Sequence, residues 1–109
     1  MDFNRAYIYL SGSMTGQPDW NKPLFDEYEK RLYKMGAVYV YNPAWDANDY
    51  NDRSHEYYML RDLSALTRRI EGGCPFFDYV VMIPGWEESE GARVEREVAL
   101  ACGIEIVTL

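Results

Sequence analysis

Apolar residues follow two different spacings along this chain, and the two spacings alternate. Short runs rich in β-branched and aromatic residues predict strands, whereas apolar residues at three- and four-residue steps predict helices. The predicted strands span residues 5–10, 37–41, 79–83 and 104–109, and the predicted helices span residues 19–35, residues 55–71 and a segment starting at about Ser89. Because strands and helices alternate, the pattern predicts right-handed crossovers and a parallel sheet.

The fold predicted from this order is an α/β three-layer sandwich with a Rossmann- or flavodoxin-like sheet of four parallel strands in the order 2-1-3-4. With 109 residues, the chain is expected to form a single domain, residues 1–109, that buries about two thirds of its unfolded surface. Asp19 or Asn21 is expected to cap the first helix and Ser54 the second, which we expect to end at Gly72-Gly73.

Two loops that follow predicted strands carry residues suited to ligand binding. The loop of residues 11–16 presents glycine N–H groups and hydroxyls to an anion or a ribose, although ordinary turns use the same residues. Its candidate ligand-binding residues are Ser11, Gly12, Ser13 and Gly16. The second loop, residues 84–89, ends on the third helix, and open α/β sheets bind ligands at this carboxyl edge. Residues 44–53 form either a lid over the same edge or a simple irregular connection.

Two carboxylates lie among apolar helix positions. Ala92, Glu95, Ala99 and Cys102 follow one another at three- and four-residue steps and therefore share a helix face. Glu95 is either at the edge of that face, where it reaches water, or a pocket carboxylate beside a ligand. In the second helix, Asp62 is either a functional acid or an exposed carboxylate paired with a neighbouring arginine, Arg61 or Arg68.

Composition limits the kinds of partner. A net charge of -7 and a pI near 4.6 argue against binding to duplex nucleic acid, which requires a basic face, but allow a small nucleotide. Cys74 and Cys102 lack zinc-ligand spacing and the only histidine is His55, so neither a metal nor another cofactor is expected. With no signal peptide and no membrane-length apolar run, the chain is expected to be a soluble cytoplasmic protein with free thiols and no membrane partner.

Four groups of residues carry a resemblance to a known family. They are residues 7–16, Asn42-Pro43, Arg61-Asp62-Leu63, and residues 84–92 together with Glu95 and Ala99. In these positions the chain resembles the nucleoside 2-deoxyribosyltransferase superfamily, and particularly the small domains of that fold found in bacteriophage and prophage genomes. The resemblance implies that Glu95 is the nucleophile that attacks the anomeric carbon and that Tyr9 orients its carboxylate. It also implies that Asp62 assists the leaving base or contacts the sugar.

One position departs from the transferases. Six residues before the nucleophile they carry an aspartate, where this chain has Ser89. In this respect the chain is similar to the 2'-deoxynucleoside 5'-phosphate N-hydrolases, which implies that Ser13, Ser89 and Gly91 bind a 5'-phosphate. The neighbouring Glu88 and Glu90 would repel a phosphate unless they point away from it. Trp86 either stacks on the base or covers the edge of the sheet.

The function expected from these residues is cleavage or transfer at the N-glycosidic bond of a nucleoside or nucleoside 5'-monophosphate. A carboxylate stabilises the oxocarbenium-like sugar or bonds to it, and a second acid makes the base a better leaving group. The alternatives are a protein of the same fold that binds a nucleotide without turning it over, and an interaction protein without a small ligand. The superfamily often completes its pockets from a neighbouring subunit, so a homodimer or larger homo-oligomer is expected.

Overall fold

The structure of the protein, a computed structural model, describes residues 2–47 and 54–109. Its strands are β1 (Tyr7–Ser11), β2 (Tyr39–Tyr41), β3 (Tyr79–Met82) and β4 (Glu105–Thr108), and its α-helices are α1 (Lys22–Lys34), α2 (His55–Leu66) and α3 (Glu90–Ala101). Single turns of 3-10 helix cover Pro18–Asn21 and Trp86–Glu88. Most of the segment for which a lid was considered, residues 48–53, lies outside the described residues.

The four strands form one parallel sheet in the order β2-β1-β3-β4, which confirms the predicted fold class and strand order. Buried side chains of α1, such as Phe25 and Leu32, pack with Ile8 and Leu10 on one face of the sheet. Buried side chains of α2 and α3 pack with Tyr9 on the other face. The protein is therefore a three-layer sandwich with α1 alone on one side.

Strand β1 presents its polar side chains to the layer formed by α2 and α3. Successive side chains of a strand point to opposite faces, so Tyr9 and Ser11 share one face while Ile8 and Leu10 share the other. Both Tyr9 and Ser11 are fully buried, and Tyr9 lies directly opposite Tyr41 of β2 in the parallel register. Two tyrosines and a serine are thereby brought beneath the helices that carry Asp62 and Glu95.

The second helix is shorter than predicted. It ends at Leu66 instead of residue 71, and residues 68–76 form a narrow hairpin in which Arg69 bridges to Pro75. The hairpin forms because Gly72 and Gly73 adopt left-handed backbone angles, φ 94° and 87°, that few other residues tolerate. The predicted apolar stripe also fails at this end, since Ile70 is 50% exposed.

The first helix also starts later than predicted. Residue 19 was the expected beginning, but α1 begins at Lys22, after a turn in which Asp19, Trp20 and Asn21 all have left-handed φ angles between 52° and 63°. Asn21 occupies the N-cap position, but its side-chain amide donates to the carbonyl oxygen of Ser13 at 2.9 Å and does not cap the helix. The segment is thus bent towards the loop after β1.

Both other helix starts agree with prediction. The hydroxyl of Ser54 accepts a hydrogen bond from the N–H of Tyr57, and the hydroxyl of Ser89 accepts one from the N–H of Ala92.

None of the helices within residues 2–47 and 54–109 combines the length and apolar character that crossing a membrane requires. Cys74 and Cys102 are exposed free thiols. The predicted shared face of α3 is therefore buried at Ala92, Glu95 and Ala99 but not at Cys102.

Candidate functional site

A cavity of about 270 Å³ lies at the carboxyl edge of the sheet. Its walls are formed by the loop after β1, the turn before α1, the loop after β2, helix α2 and the start of α3. This is where loops and helix starts meet in a parallel α/β sheet. Asp62 and Glu95 both line it, and each is more than 90% buried.

Glu95 is held at both carboxylate oxygens. The Tyr9 hydroxyl donates a short hydrogen bond to Oε2, and the Ser11 hydroxyl donates to Oε1 at 2.7 Å. Glu95 reaches these donors because Ala92 and Ala99, which share its helix face, are small and let α3 lie close to the sheet. Of the two sequence interpretations of Glu95, the structure therefore agrees with a pocket carboxylate.

Burial determines the protonation of this pair. Removal of Glu95 from water raises its pKa to about 7, because the hydroxyl donors only partly offset the cost of burying its charge. Burial, together with the negative charges of Glu95 and Asp62, raises the pKa of Tyr9 well above its usual range. Tyr9 therefore stays protonated and serves as a donor, while Glu95 titrates near neutral pH.

Asp62 is held through one oxygen. Its Oδ1 accepts hydrogen bonds from the Tyr41 hydroxyl at 2.8 Å and from Nε of Arg61 at 3.0 Å. Burial raises the pKa of Asp62, and the Arg61 guanidinium and the hydrogen bond from Tyr41 oppose this shift. Asp62 is thus buried, which contradicts the exposed carboxylate considered from sequence, but it does pair with Arg61, as that alternative expected. Arg68 instead lies over the ring of Phe76.

The two tyrosines that bind these carboxylates form a stacked pair. The Tyr9 and Tyr41 rings lie 5.0 Å apart with an interplanar angle of 12°, as their opposed positions in β1 and β2 allow. Each donates its hydroxyl to a different acid, Tyr9 to Glu95 and Tyr41 to Asp62. The Tyr9 hydroxyl also lies 3.5 Å from the backbone oxygen of Asp62, so Tyr9 contacts both of the residues that carry the acids.

The rest of the cavity wall is largely apolar. It is formed by the side chains of Met14, Trp20, Pro43, Tyr58 and Met59. Flat aromatic rings and polarisable thioethers suit the face of a planar heterocycle better than they suit an ion. The cavity therefore has an acidic end at Asp62 and Glu95 and an apolar, partly aromatic remainder.

Trp20 reaches this wall from a strained segment. Three consecutive left-handed residues other than glycine are unusual, since each costs on the order of 1–2 kcal/mol. The hydrogen bond from the Asn21 side chain to the Ser13 carbonyl oxygen holds this turn and offsets part of the conformational cost. Strain of this kind is concentrated at functional sites, so Trp20 is a candidate binding residue that the sequence pattern did not indicate.

Two glycines allow close approach at the cavity. A Cβ at Gly12 would lie 3.0 Å from Cβ of Ile83, and a Cβ at Gly91 would lie 3.1 Å from Sδ of Met59. Both glycines line the cavity. A side chain at either position would require Ile83 or Met59 to shift by a few tenths of an ångström.

The remaining predicted binding residues are in different places. Ser89 lines the cavity, whereas Ser11 lies beneath it with its hydroxyl committed to Glu95. Ser13 is buried, and its hydroxyl accepts a hydrogen bond from the Gln17 amide at 3.4 Å. Among the described residues, neither Ser13 nor Gly16 belongs to the cavity wall.

Trp86 also lies outside the wall of the cavity as the described residues define it. Its ring packs against the core on the α3 side of the sheet, and the Arg96 guanidinium lies 5.4 Å from the ring centre. This position agrees with the alternative that Trp86 covers the sheet. Glu88 and Glu90 are exposed and are likewise not among the described lining residues, which removes the objection that they would repel a bound phosphate.

Few cationic groups face the cavity. Among the described lining residues, His55 is the only side chain that can carry positive charge, whereas Asp62 and Glu95 can both carry negative charge. Within residues 2–47 and 54–109, no group of three or more His, Cys, Asp or Glu side chains is arranged to hold a metal ion. An anionic ligand would therefore rely on neutral donors such as backbone N–H groups and the Ser89 hydroxyl.

Ser89 is the N-cap of α3, and three substitutions separate this role from the ligand contact expected of it. Ser89→Ala and Ser54→Ala each remove an N-cap and are expected to lower the free energy of unfolding by about 1 kcal/mol, measured by urea denaturation. Ser89→Gly is expected to cost only a few tenths of that amount, since glycine is tolerated as an N-cap. Only the two Ser89 variants are expected to weaken binding of a nucleoside 5'-monophosphate. Equal weakening in Ser54→Ala would contradict a ligand contact at Ser89.

Sequence reasoning missed Tyr41, Met59, Tyr58 and Trp20 as parts of the site. Tyr41 had a usable signal, because the segments Tyr-Ile-Tyr and Tyr-Val-Tyr belong to two strands that the predicted order places side by side. The apolar residues had none, since methionine and aromatic residues at helical spacing are typical of an ordinary core.

The fold and the cavity together define an α/β domain with a parallel sheet and a buried, hydroxyl-bound glutamate at its carboxyl edge. Over residues 6–108 the chain matches the family described as "Domain of unknown function (DUF4406)", and it belongs to that family. Searches of curated proteins and of solved structures found no match to it.

Proposed function

We propose that the protein cleaves, or transfers a base at, the N-glycosidic bond of a nucleoside or nucleoside 5'-monophosphate. The observation that carries this proposal is Glu95, a buried carboxylate at the cavity whose two oxygens are oriented by Tyr9 and Ser11. A carboxylate so oriented is suited to attack an anomeric carbon or to stabilise an oxocarbenium-like sugar. The resemblance to nucleoside 2-deoxyribosyltransferases supports the same role.

A second acid is available for the leaving base. Asp62 lines the same cavity and has a pKa raised by burial, as does Glu95. An acid that keeps its proton closer to neutral pH is better suited to protonate a departing base. In the proposed reaction, Glu95 forms a bond to the anomeric carbon as the bond to the base breaks, and Asp62 donates a proton to the base. Water or a second base then displaces Glu95 from the sugar as a carboxylate, and the proton of the attacking group returns to Asp62.

The apolar part of the cavity is proposed to hold the base. The whole cavity, including its acidic end, has a volume of about 270 Å³, just below the usual range for small-molecule pockets. Met14, Tyr58 and Met59 provide apolar contacts, and the backbone groups at the start of α3 provide neutral donors for a sugar or a phosphate.

Substitution of the two tryptophans tests which one binds the base. Trp20→Ala is expected to weaken nucleoside binding by about 10-fold, because a stacked aromatic ring contributes on the order of 1–3 kcal/mol per base. Trp86→Ala is expected to leave the dissociation constant within twofold, although it lowers stability. Isothermal titration with the parent's best ligand measures both. The reverse ranking would restore Trp86 as the stacking residue.

The reaction itself is tested by a substrate panel. Purified protein is incubated with ribo- and 2'-deoxyribonucleosides and their 5'-monophosphates, and free base is followed by chromatography, with and without a second base as acceptor. Release of base supports hydrolysis, and formation of a new nucleoside supports transfer. The panel is repeated with Glu95→Gln, and Glu97→Gln is its matched control, since Glu97 is an exposed glutamate two residues further along α3. Intact recovery of every substrate after long incubation would refute the enzyme proposal.

A second candidate, favoured by the hydrogen bonding of Glu95, is a protein that binds a nucleotide without cleaving it. Both oxygens of Glu95 already accept hydroxyl hydrogen bonds, and with a pKa near 7 part of the population is neutral at neutral pH. A neutral carboxyl can hold a sugar hydroxyl without attacking carbon. Thermal stabilisation by a nucleotide that is recovered intact would favour this function, and no response to any nucleotide would favour an interaction protein.

Assembly and location remain proposals. We expect a homodimer or larger homo-oligomer in the cytoplasm, and side chains such as Val38 and Leu60, which is 72% exposed, are apolar surface that association would cover. Light scattering at micromolar concentration measures the assembly. A monomeric mass would contradict it.

A further inference from the structure

Arg61 is bonded to three residues that form the cavity wall. Its Nε donates to Asp62 Oδ1 at 3.0 Å, its Nη2 donates to the Pro43 carbonyl oxygen at 3.0 Å, and its guanidinium carbon lies 5.1 Å from the centre of the Tyr58 ring. Asp62, Pro43 and Tyr58 all line the cavity, whereas Arg61 itself is not among the described lining residues. Arg61 therefore lies behind the wall and connects its parts.

The same guanidinium binds the loop after β2. Its Nη1 donates to both oxygens of Asp46, at 3.0 Å and 2.8 Å. The three nitrogens of this planar guanidinium therefore donate to three different residues, Nε to Asp62, Nη1 to Asp46 and Nη2 to Pro43, which fixes its orientation. The loop that contributes Pro43 and the helix that contributes Asp62 are thus joined through one rigid group.

We propose that Arg61 is a positioning residue that holds Asp62 and the Pro43–Asp46 wall of the cavity as one unit, with Tyr41 as the second anchor of Asp62. This role rests on the proposed function, because it assumes that Asp62 meets a ligand. Arg61 acts through Asp62 and is not placed against the reacting atoms.

The two carboxylate oxygens of Asp62 differ in their hydrogen bonding. Oδ1 accepts from both Tyr41 and Arg61, whereas Oδ2 has no hydrogen-bond partner among the described residues. No fully buried side-chain oxygen or nitrogen there lacks a partner, so Oδ2 is accessible to solvent, and it belongs to a residue that lines the cavity. The two anchors therefore leave Oδ2 as the oxygen that exchanges a proton with a ligand.

Groups from several elements act on Asp62. Arg61 and Tyr41 favour its charged form, and the negative charge of Asp46 disfavours it. Asp62 also interacts with Glu95 on α3 and with Tyr9 on β1. Because these influences differ in sign, we expect removal of Arg61 or Tyr41 and removal of the Asp46 charge to shift the pKa of Asp62 in opposite directions.

The experiment compares five variants with the parent: Arg61→Gln, Arg61→Lys, Tyr41→Phe, Asp46→Asn and, as the matched control, Arg68→Gln. The titration of the Asp62 carboxyl is followed by carbon NMR in ligand-free protein, with resonance assignment by Asp62→Asn. In the same variants, kcat and KM are measured between pH 5 and 9 on the parent's best substrate.

In Arg61→Gln and Tyr41→Phe we expect the pKa of Asp62 to rise, and in Asp46→Asn to fall. In Arg61→Gln we expect kcat to fall at least about 10-fold with KM within about threefold, because the proton donor is misplaced while the base site remains. The alkaline limb of the kcat profile should move to higher pH. Arg61→Lys keeps the positive charge but loses the planar group that donates from three nitrogens. We therefore expect a smaller change in the pKa of Asp62 with a similar loss of kcat. Arg68→Gln should resemble the parent.

The proposal is overturned if folded Arg61→Gln and Tyr41→Phe titrate and turn over like the parent, or if Arg68→Gln loses as much activity as Arg61→Gln. Arg61→Lys and Tyr41→Phe are the milder changes and decide the matter if Arg61→Gln does not fold. If the parent releases no base at all, the proposed function fails. The Asp62 titration in ligand-free protein then still shows whether Arg61 and Tyr41 anchor this carboxyl.

Discussion

Glu95→Gln is expected to lower kcat for base release by at least about 10³-fold. The amide is nearly the same size as the carboxyl, and it can accept from the Tyr9 hydroxyl and donate to the Ser11 oxygen. The site therefore keeps its shape and loses only a nucleophilic oxygen and its charge. Glu97→Gln, a substitution of the same kind on the exposed face of α3, is expected to keep kcat within twofold. Full turnover by Glu95→Gln on the true substrate would exclude the proposed mechanism.

The same substitution is expected to stabilise the protein above neutral pH. The pKa of Glu95 is higher in the folded state, about 7, than its ordinary value of 4.5, so the folded protein binds more protons between these values and its stability falls as pH rises through them. Below pH 4.5 both states are protonated and there is no cost. Above pH 7 the cost is fully present, on the order of 3 kcal/mol.

Glutamine carries no such charge, so the difference between variant and parent measures this cost. Calorimetry should give similar Tm values near pH 4.5 and a Tm higher by roughly 10 °C in Glu95→Gln at pH 8. Glu97→Gln should show no comparable pH-dependent difference. A Glu95→Gln protein that is less stable than the parent at pH 8 would mean that the burial of Glu95 does not oppose folding.

Tyr9→Phe is expected to shift the acidic limb of the kcat/KM profile to higher pH. The Tyr9 hydroxyl donates to Glu95 and lowers its pKa, so its loss raises that pKa above about 7 and reduces the fraction of nucleophilic carboxylate at neutral pH. We expect a loss of about 10-fold or more at pH 7 that recovers in part at pH 9. Ser11→Ala removes the other donor and should shift the limb in the same direction.

Tyr7→Phe is the matched control for this experiment. Tyr7 lies two residues earlier on β1 and faces the same layer, and its half-buried ring packs against Phe76 and away from Glu95. Its pH profile should overlay that of the parent. A Tyr9→Phe protein whose activity falls equally at every pH would show that Tyr9 acts on something other than the protonation of Glu95.

Much of the site was predictable because its residues are marked locally. The helical pattern starts at about Ser89, and Glu95 between Ala92 and Ala99 indicates a carboxylate on a shared helix face. The loop of residues 11–16 was correctly placed at the sheet edge, but the sequence could not say which of its groups face outward. Ser11 and Ser13 have similar sequence surroundings, yet one binds Glu95 and the other accepts from Gln17.

The sequence by itself determined the order of the strands and helices, the parallel sheet and two of the three helix starts, because period and capping residues act over a few neighbouring positions. Only the tertiary structure decided the partners of the two acids. Tyr9 and Glu95 are 86 positions apart, and Tyr41 and Asp62 are 21 apart, so their hydrogen bonds exist only once β1, β2, α2 and α3 are packed together. The cavity, with Trp20 and Met59 in its wall, depends on the same packing, because its walls come from segments that do not touch until the chain has folded.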